Sequence, residues 1–84
     1  MKMSKNINIA VIGLGQIGLY VYNELNIKKK DIEIKTGKKI KVVGISAKNK
    51  NKKRKFKINK KIFYSNPLDI LKIKNLHIII EAIG

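Results

Sequence analysis

Ile7-Asn8-Ile9-Ala10-Val11-Ile12-Gly13-Leu14-Gly15-Gln16-Ile17-Gly18 runs from an apolar, β-branched segment straight into three glycines within six positions. A short apolar run stopped by glycine reads as a buried parallel strand. The residues that follow change period: Ile17, Val21 and Leu25 recur at i, i+4 and i+8 and predict an amphipathic helix. Its course extends through Ile32 to about Thr36, where Gly37 supplies a stop, and Glu24 and Lys28 form a favourable i, i+4 pair. The three glycines divide the work of such a strand–turn–helix joint. Gly13 permits a tight turn, Gly15 leaves the backbone open to a pyrophosphate, and Gly18 lets the helix pack closely on the strand. The first helical amides, at Gln16 and Ile17, then face an anion with the helix dipole behind them. Three glycines at this spacing recur by chance; the flanking strand and helix give the string its meaning.

Outward from this joint, Ile40 to Ala47 reads as a second strand with Gly44 inside it. Lys48 to Lys61 holds nine Lys or Arg in fourteen residues and no acid, and reads as an exposed connection. Ile62 to Tyr64 suits a short strand. Asn66-Pro67-Leu68-Asp69 is a helix start, with Asn66 as N-cap and Pro67 at the first helical position, and the helix is expected to end near Lys74-Asn75. Leu76 to Ile83 is a third strand, dense in isoleucine. The order β-α-β, basic connection, α-β predicts an α/β fold, a partial Rossmann-type, doubly wound parallel sheet filling residues 1–84 as a single unit. Only about half of such a domain is encoded, so the expectation is a fragment or truncated product.

The composition excludes several classes. With no Cys and a single His, the chain has no disulfide framework, no thiolate metal site and no cysteine nucleophile. No run approaches the ~18 apolar residues of a membrane span, and no signal peptide follows the basic start; a cytoplasmic protein with no membrane partner is the expectation. The formal charge of +15 normally suggests a polyanion. Lys, Ile and Asn, at 19, 17 and 9 copies, are favoured by AT-rich coding, however, and codon drift is the simpler source of the basicity. A small nucleic-acid-binding protein using Lys48 to Lys61, with Phe56, Phe63 and Tyr64 as stacking groups, is the second hypothesis.

Where an NAD site carries an Asp or Glu at the end of the second strand, this chain has Ser46-Ala47-Lys48-Asn49. Lys48, with Lys50 or Arg54 as helpers, suits a ribose 2′-phosphate, which favours NADP over NAD. His77, alone at the start of the last strand, fits a strand-edge role and not a metal site; Glu81 fits either a site contact or a basic neighbour.

The segments Ile9 to Gly18, Thr36-Gly37-Lys38-Lys39-Ile40, Val42 to Lys48, Ser65 to Leu71 and Ile78-Ile79-Ile80-Glu81-Ala82-Ile83-Gly84 together resemble the opening of homoserine dehydrogenases. The resemblance implies an oxidoreductase that interconverts aspartate 4-semialdehyde and homoserine with NAD(P)H, on the route to threonine and methionine. By position, Gly13, Gly15, Gln16, Ile17 and Gly18 would hold the pyrophosphate, Ala47 and Lys48 would flank the adenosine, and Gly84 would approach the nicotinamide. Two departures stand out. The family often has Arg and Asp where Lys48-Asn49 stand, and its catalytic lysines and substrate-binding acids have no counterpart here. The chain is therefore expected to lack catalytic residues, to bind a small-molecule substrate only as part of a longer chain, and to be open to homo-oligomer formation. Other Rossmann oxidoreductases, hydroxyacid dehydrogenases among them, share the Gly-Leu-Gly-x-Ile-Gly turn and are the near alternative.

Overall fold

A computed structural model describes residues 5–83. Strand β1 (Lys5–Ile12) leads into helix α1 (Gln16–Thr36), and α1 into strand β2 (Lys38–Ser46). A 3-10 turn (Lys60–Ile62), a one-turn helix α2 (Pro67–Ile70) and strand β3 (Ile78–Glu81) follow. All pairings are parallel and the sheet order is β2-β1-β3, which is the α/β, partial Rossmann-type architecture expected. An isolated parallel bridge between Ile45 and Phe63 marks where the chain passes the outer edge of β2. The segment expected as a strand over Ile62 to Tyr64 contributes that bridge and no more, because Lys60–Ile62 winds into the 3-10 turn.

The register explains the two-sided burial. Paired residues of a parallel sheet share a face, so Val11 with Ile45, and Ile9 with Val42, point together. On that face Val11, Leu14, Leu19, Tyr22 and Ile45 form the buried cluster under α1. The other face presents Ala10 and Gly44, small residues over which the α2 segment closes. A Cβ added at Gly44 would stand 2.8 Å from Ile73 Cδ1 and 3.5 Å from Ile70 Cγ1, and Ile70 is fully buried. The sheet is thus wound on both faces. Val43 is the extra residue of a bulge between the Ile9 and Ala10 register positions.

Further expectations change on contact with the structure: of the strand expected over Leu76 to Ile83, only Ile78–Glu81 pairs in the sheet. The apolar stripe of α1 was expected along Ile17, Val21 and Leu25. Its fully buried residues are Gly18, Leu19 and Tyr22; Leu25 does pack against the core and Val21 is half-buried, but Ile17 is 73% exposed. The cause is Gly18: it must face the strand, and Ile17 lies about 100° around the helix from it. Helix α2 stops at Ile70 rather than near Lys74-Asn75. Beyond it, i→i+3 bonds from Lys72 to Asp69 and from Ile73 to Ile70 tighten the chain, and Asn75, at φ 60°, ends the turn. The basic connection is not wholly solvated either. Phe56 and Ile58 pack on the core and the Asn59 amide donates to the Tyr22 hydroxyl at 3.0 Å, while the lysines between them face outward.

Helix boundaries elsewhere follow the sequence. Gly37 caps α1 in the left-handed region, and the Asn66 side chain accepts from the Leu68 amide ahead of Pro67. His77 sits at the sheet edge, where its Nδ1 accepts from the Asn8 amide at 2.9 Å and its own amide donates to the Asn8 carbonyl at 3.0 Å. Among the described residues no helix is long and apolar enough to cross a membrane.

Candidate cofactor-binding site

β1 is followed through α1 by β2 on one side, and the chain then returns to place β3 on the other side of β1. The strand order therefore reverses at β1, and a crevice opens beyond the carboxyl ends of the strands, the usual ligand position in open parallel sheets. Backbone bonds tie the three strand ends together there. The Gly13 amide donates to the Ser46 carbonyl and the Ala82 amide to the Ile12 carbonyl, each at 2.8 Å.

Each glycine of the turn meets a different physical demand. Gly13 has φ +93°, a region that side chains disfavour, and a Cβ there would lie 3.0 Å from both the Ala82 carbonyl carbon and Ile83 Cγ1. A Cβ on Gly18 would run into the Gly13 carbonyl oxygen, so the start of α1 can pack on the turn only with hydrogen at that position. Around Gly15 nothing lies within 4 Å of an added Cβ. Packing therefore does not require glycine at residue 15, whose missing side chain leaves the backbone bare toward the crevice. Gly15 is also the N-cap of α1, with no side-chain cap and no acid in the first turn. The helix thus begins with uncapped amides and the positive end of its dipole.

The crevice has a volume of about 600 Å³ and is walled by Ile12, Gly13, Leu14 and Gly15, by Ser46 to Asn49, and by Lys52, Arg54, Ser65, Pro67, Ala82 and Ile83. Three cations and no acid stand in that wall. Of the expected site residues, Gly13, Gly15, Ala47 and Lys48 meet there. Gly18 lies buried behind the turn, Gln16 and Ile17 are exposed on the first turn of α1, and Gly84 lies outside the described residues. Of the two helper cations expected, Lys50 is not in the wall and Arg54 is, with its guanidinium bonded to the carbonyls of Asn49, Lys50 and Lys52. Lys52, Ser65 and Pro67 were not foreseen. Their only sequence signal is proximity to the second strand and to the α2 cap, since the fold of the connection places them. The Glu81 carboxylate accepts from the Ile83 amide at 2.6 Å, and none of the salt bridges among the described residues involves it.

A second hollow, about 870 Å³, opens at the amino ends of the strands between Asn6, Lys30, Lys39 and Lys41. It is larger, but it has neither a glycine turn nor a helix N-terminus. Among the described residues no cluster of His, Cys, Asp and Glu could hold a metal. Among the described residues the one titration that clearly departs from its ordinary value is remote from the glycine turn: hydrogen bonding to the Glu24 carboxylate, 3.1 Å away, raises the Lys28 ammonium above 10.5.

Searching known proteins with this architecture finds crystal structures of S. aureus homoserine dehydrogenase. The one at pH 7.5 superposes with a TM-score of 0.86 at 31% identity, over 95% of this chain and 21% of that one. Those at pH 6.0 and pH 7.0 give a TM-score of 0.84 at 31% and 30% identity. The matched region is the N-terminal part of that enzyme. The chain resembles the opening of a homoserine dehydrogenase. It spans about a fifth of the length of the homoserine dehydrogenase chains it matches. No family model matches the chain. No curated protein matches it either. The glycine turn, the end of β2 and the residues just beyond β3 line one crevice.

Proposed function

We propose that residues 1–84 are the NAD(P)-binding part of a homoserine dehydrogenase-like oxidoreductase. The observation that carries this reading is the division of labour among the glycines. Gly13 and Gly18 are required by turn and packing, whereas Gly15 is left bare toward an open, cation-lined crevice. In this reading the amides from Gly15 to Gly18 hold a pyrophosphate, Ala47 and Lys48 flank the adenosine, and Gly84 lies toward the nicotinamide. The bound nicotinamide would supply the hydride. The chain's own residues bind and orient it: the helix end neutralises phosphate charge, and Leu14 and Ile83 offer apolar walls. Lys48, with no carboxylate in the wall, favours the 2′-phosphate of NADP over the free hydroxyl of NAD.

The activity proposed for the whole enzyme is reduction of aspartate 4-semialdehyde to homoserine, toward threonine and methionine, in the cytoplasm. The substrate-binding and proton-transferring groups of such enzymes have no matching positions in these 84 residues, and the role proposed for them is dinucleotide binding. Nucleic-acid binding is the weaker reading, because Phe56 and Phe63, two of the aromatics it would stack on, pack against the core. Equilibrium titration with NADPH and NADH tests the proposal. Saturable binding of either, abolished by Gly15→Val, is the expected result; identical binding by Gly15→Val would overturn it.

A further inference from the structure

Arg54 is half-buried in the crevice wall, yet its guanidinium is turned to the backbone of its own loop. Nη1 donates to the carbonyls of Lys50 and Lys52 at 3.3 and 3.2 Å, and Nη2 donates to that of Asn49 at 2.6 Å. A planar fork spreads five N–H donors in fixed directions over separate nitrogens and so reaches carbonyls through both Nη1 and Nη2, whereas an ammonium gathers its three donors on a single atom. The loop is closed from its other end as well: the Asn49 side chain accepts from the Asn51 amide at 3.0 Å. Lys48 lies immediately before this closed loop and Lys52 within it. Both line the crevice, and none of the salt bridges among the described residues involves either. Lys50 and Lys53, in the same run, do not reach the wall.

We propose that Arg54 is a positioning residue: by tying the loop carbonyls it holds Lys48 and Lys52 at the crevice as a two-cation clip for the 2′-phosphate of an adenosine ribose. The proposal rests on the dinucleotide reading above. It differs from direct pairing of Arg54 with phosphate, because three of its donated bonds already end on carbonyls. Loss of the guanidinium releases the clip while leaving untouched the glycine turn that grips the pyrophosphate.

The test titrates the 84-residue chain with NADPH, NADH and adenosine 2′,5′-bisphosphate. Wild type is expected to favour NADPH, and Arg54→Lys and Arg54→Gln both to lose about tenfold for NADPH and the bisphosphate with NADH nearly unchanged. Lys52→Gln should weaken NADPH selectively, and Lys50→Gln should not. Retention of NADPH affinity by Arg54→Lys but not by Arg54→Gln would make Arg54 a direct charge contact and overturn the proposal. So would equal behaviour of Lys52→Gln and Lys50→Gln, a comparison that decides the matter even if the Arg54 variants fail to fold by circular dichroism. Equal wild-type affinity for NADPH and NADH would sink the clip and leave the pyrophosphate site standing. Binding of neither would remove the dinucleotide reading itself.

Discussion

At the scale of single residues, the glycine turn separates ligand binding from folding. Gly15→Val places its Cβ in open space, so it should lower the melting temperature less than Gly18→Ala does while losing dinucleotide binding. Gly18→Ala forces a methyl against the Gly13 carbonyl and should cost about 1–3 kcal/mol, as overpacking does. Thermal melts of the two variants beside their binding isotherms check the split; a Gly18→Ala protein as stable as wild type would contradict the packing role. The same scale shows how far the site was legible. Gly13 and Gly15 could be named from spacing, because a strand–glycine–helix joint leaves the backbone few alternatives; Lys48 followed from its place at the end of the second strand and Ala47 from the family resemblance. Lys52 could not, since its place depends on three carbonyl bonds to a guanidinium that no periodicity encodes.

At the scale of elements, the long helix and the basic connection depend on each other. Tyr22 is buried on α1, and its hydroxyl accepts from the Asn59 amide of the connection. Tyr22→Phe should therefore destabilise the chain by about 1 kcal/mol and raise hydrogen exchange at Asn59; unchanged exchange there would contradict that coupling. On the outer side of α1, Lys28 titrates above 10.5 because Glu24 accepts its hydrogen bond. The folded state therefore binds this proton more tightly than the unfolded chain does. The contribution is complete below 10.5 and fades as pH rises through the folded value. Lys28→Gln should show a small stability loss at pH 8 that vanishes in strongly alkaline solution; a loss independent of pH would assign it to helix propensity instead. Element identity was readable wherever a local signal existed: Asn66-Pro67 for α2, Gly37 for the end of α1, the isoleucine run for β3. The helical face was not. Ile17 is as apolar as Leu19, and the rotation of α1 is set by the demand that Gly18 face the turn.

At the scale of the molecule, a thin core carries a large charge. The accessible surface is 6578 Å², against about 5100 Å² for a compact monomer of this mass. Ile78 and Ile79 of β3, and Ile83 just beyond it, remain 41–63% exposed. With a formal +15, self-repulsion works against the folded state, so moderate salt should raise the melting temperature. A bound dinucleotide should raise it further, by mass action at the folded crevice. A melting temperature that falls between low and physiological salt would contradict the repulsion account. The most direct measurement of the central claim is a set of backbone amide NMR shifts recorded during NADPH titration. The account predicts saturable shifts centred on Gly13 to Gly18 and on Ala47 to Lys52, absent in Gly15→Val; shifts centred instead on Asn6, Lys39 and Lys41 at the opposite end of the sheet, or no shifts at all, would contradict it.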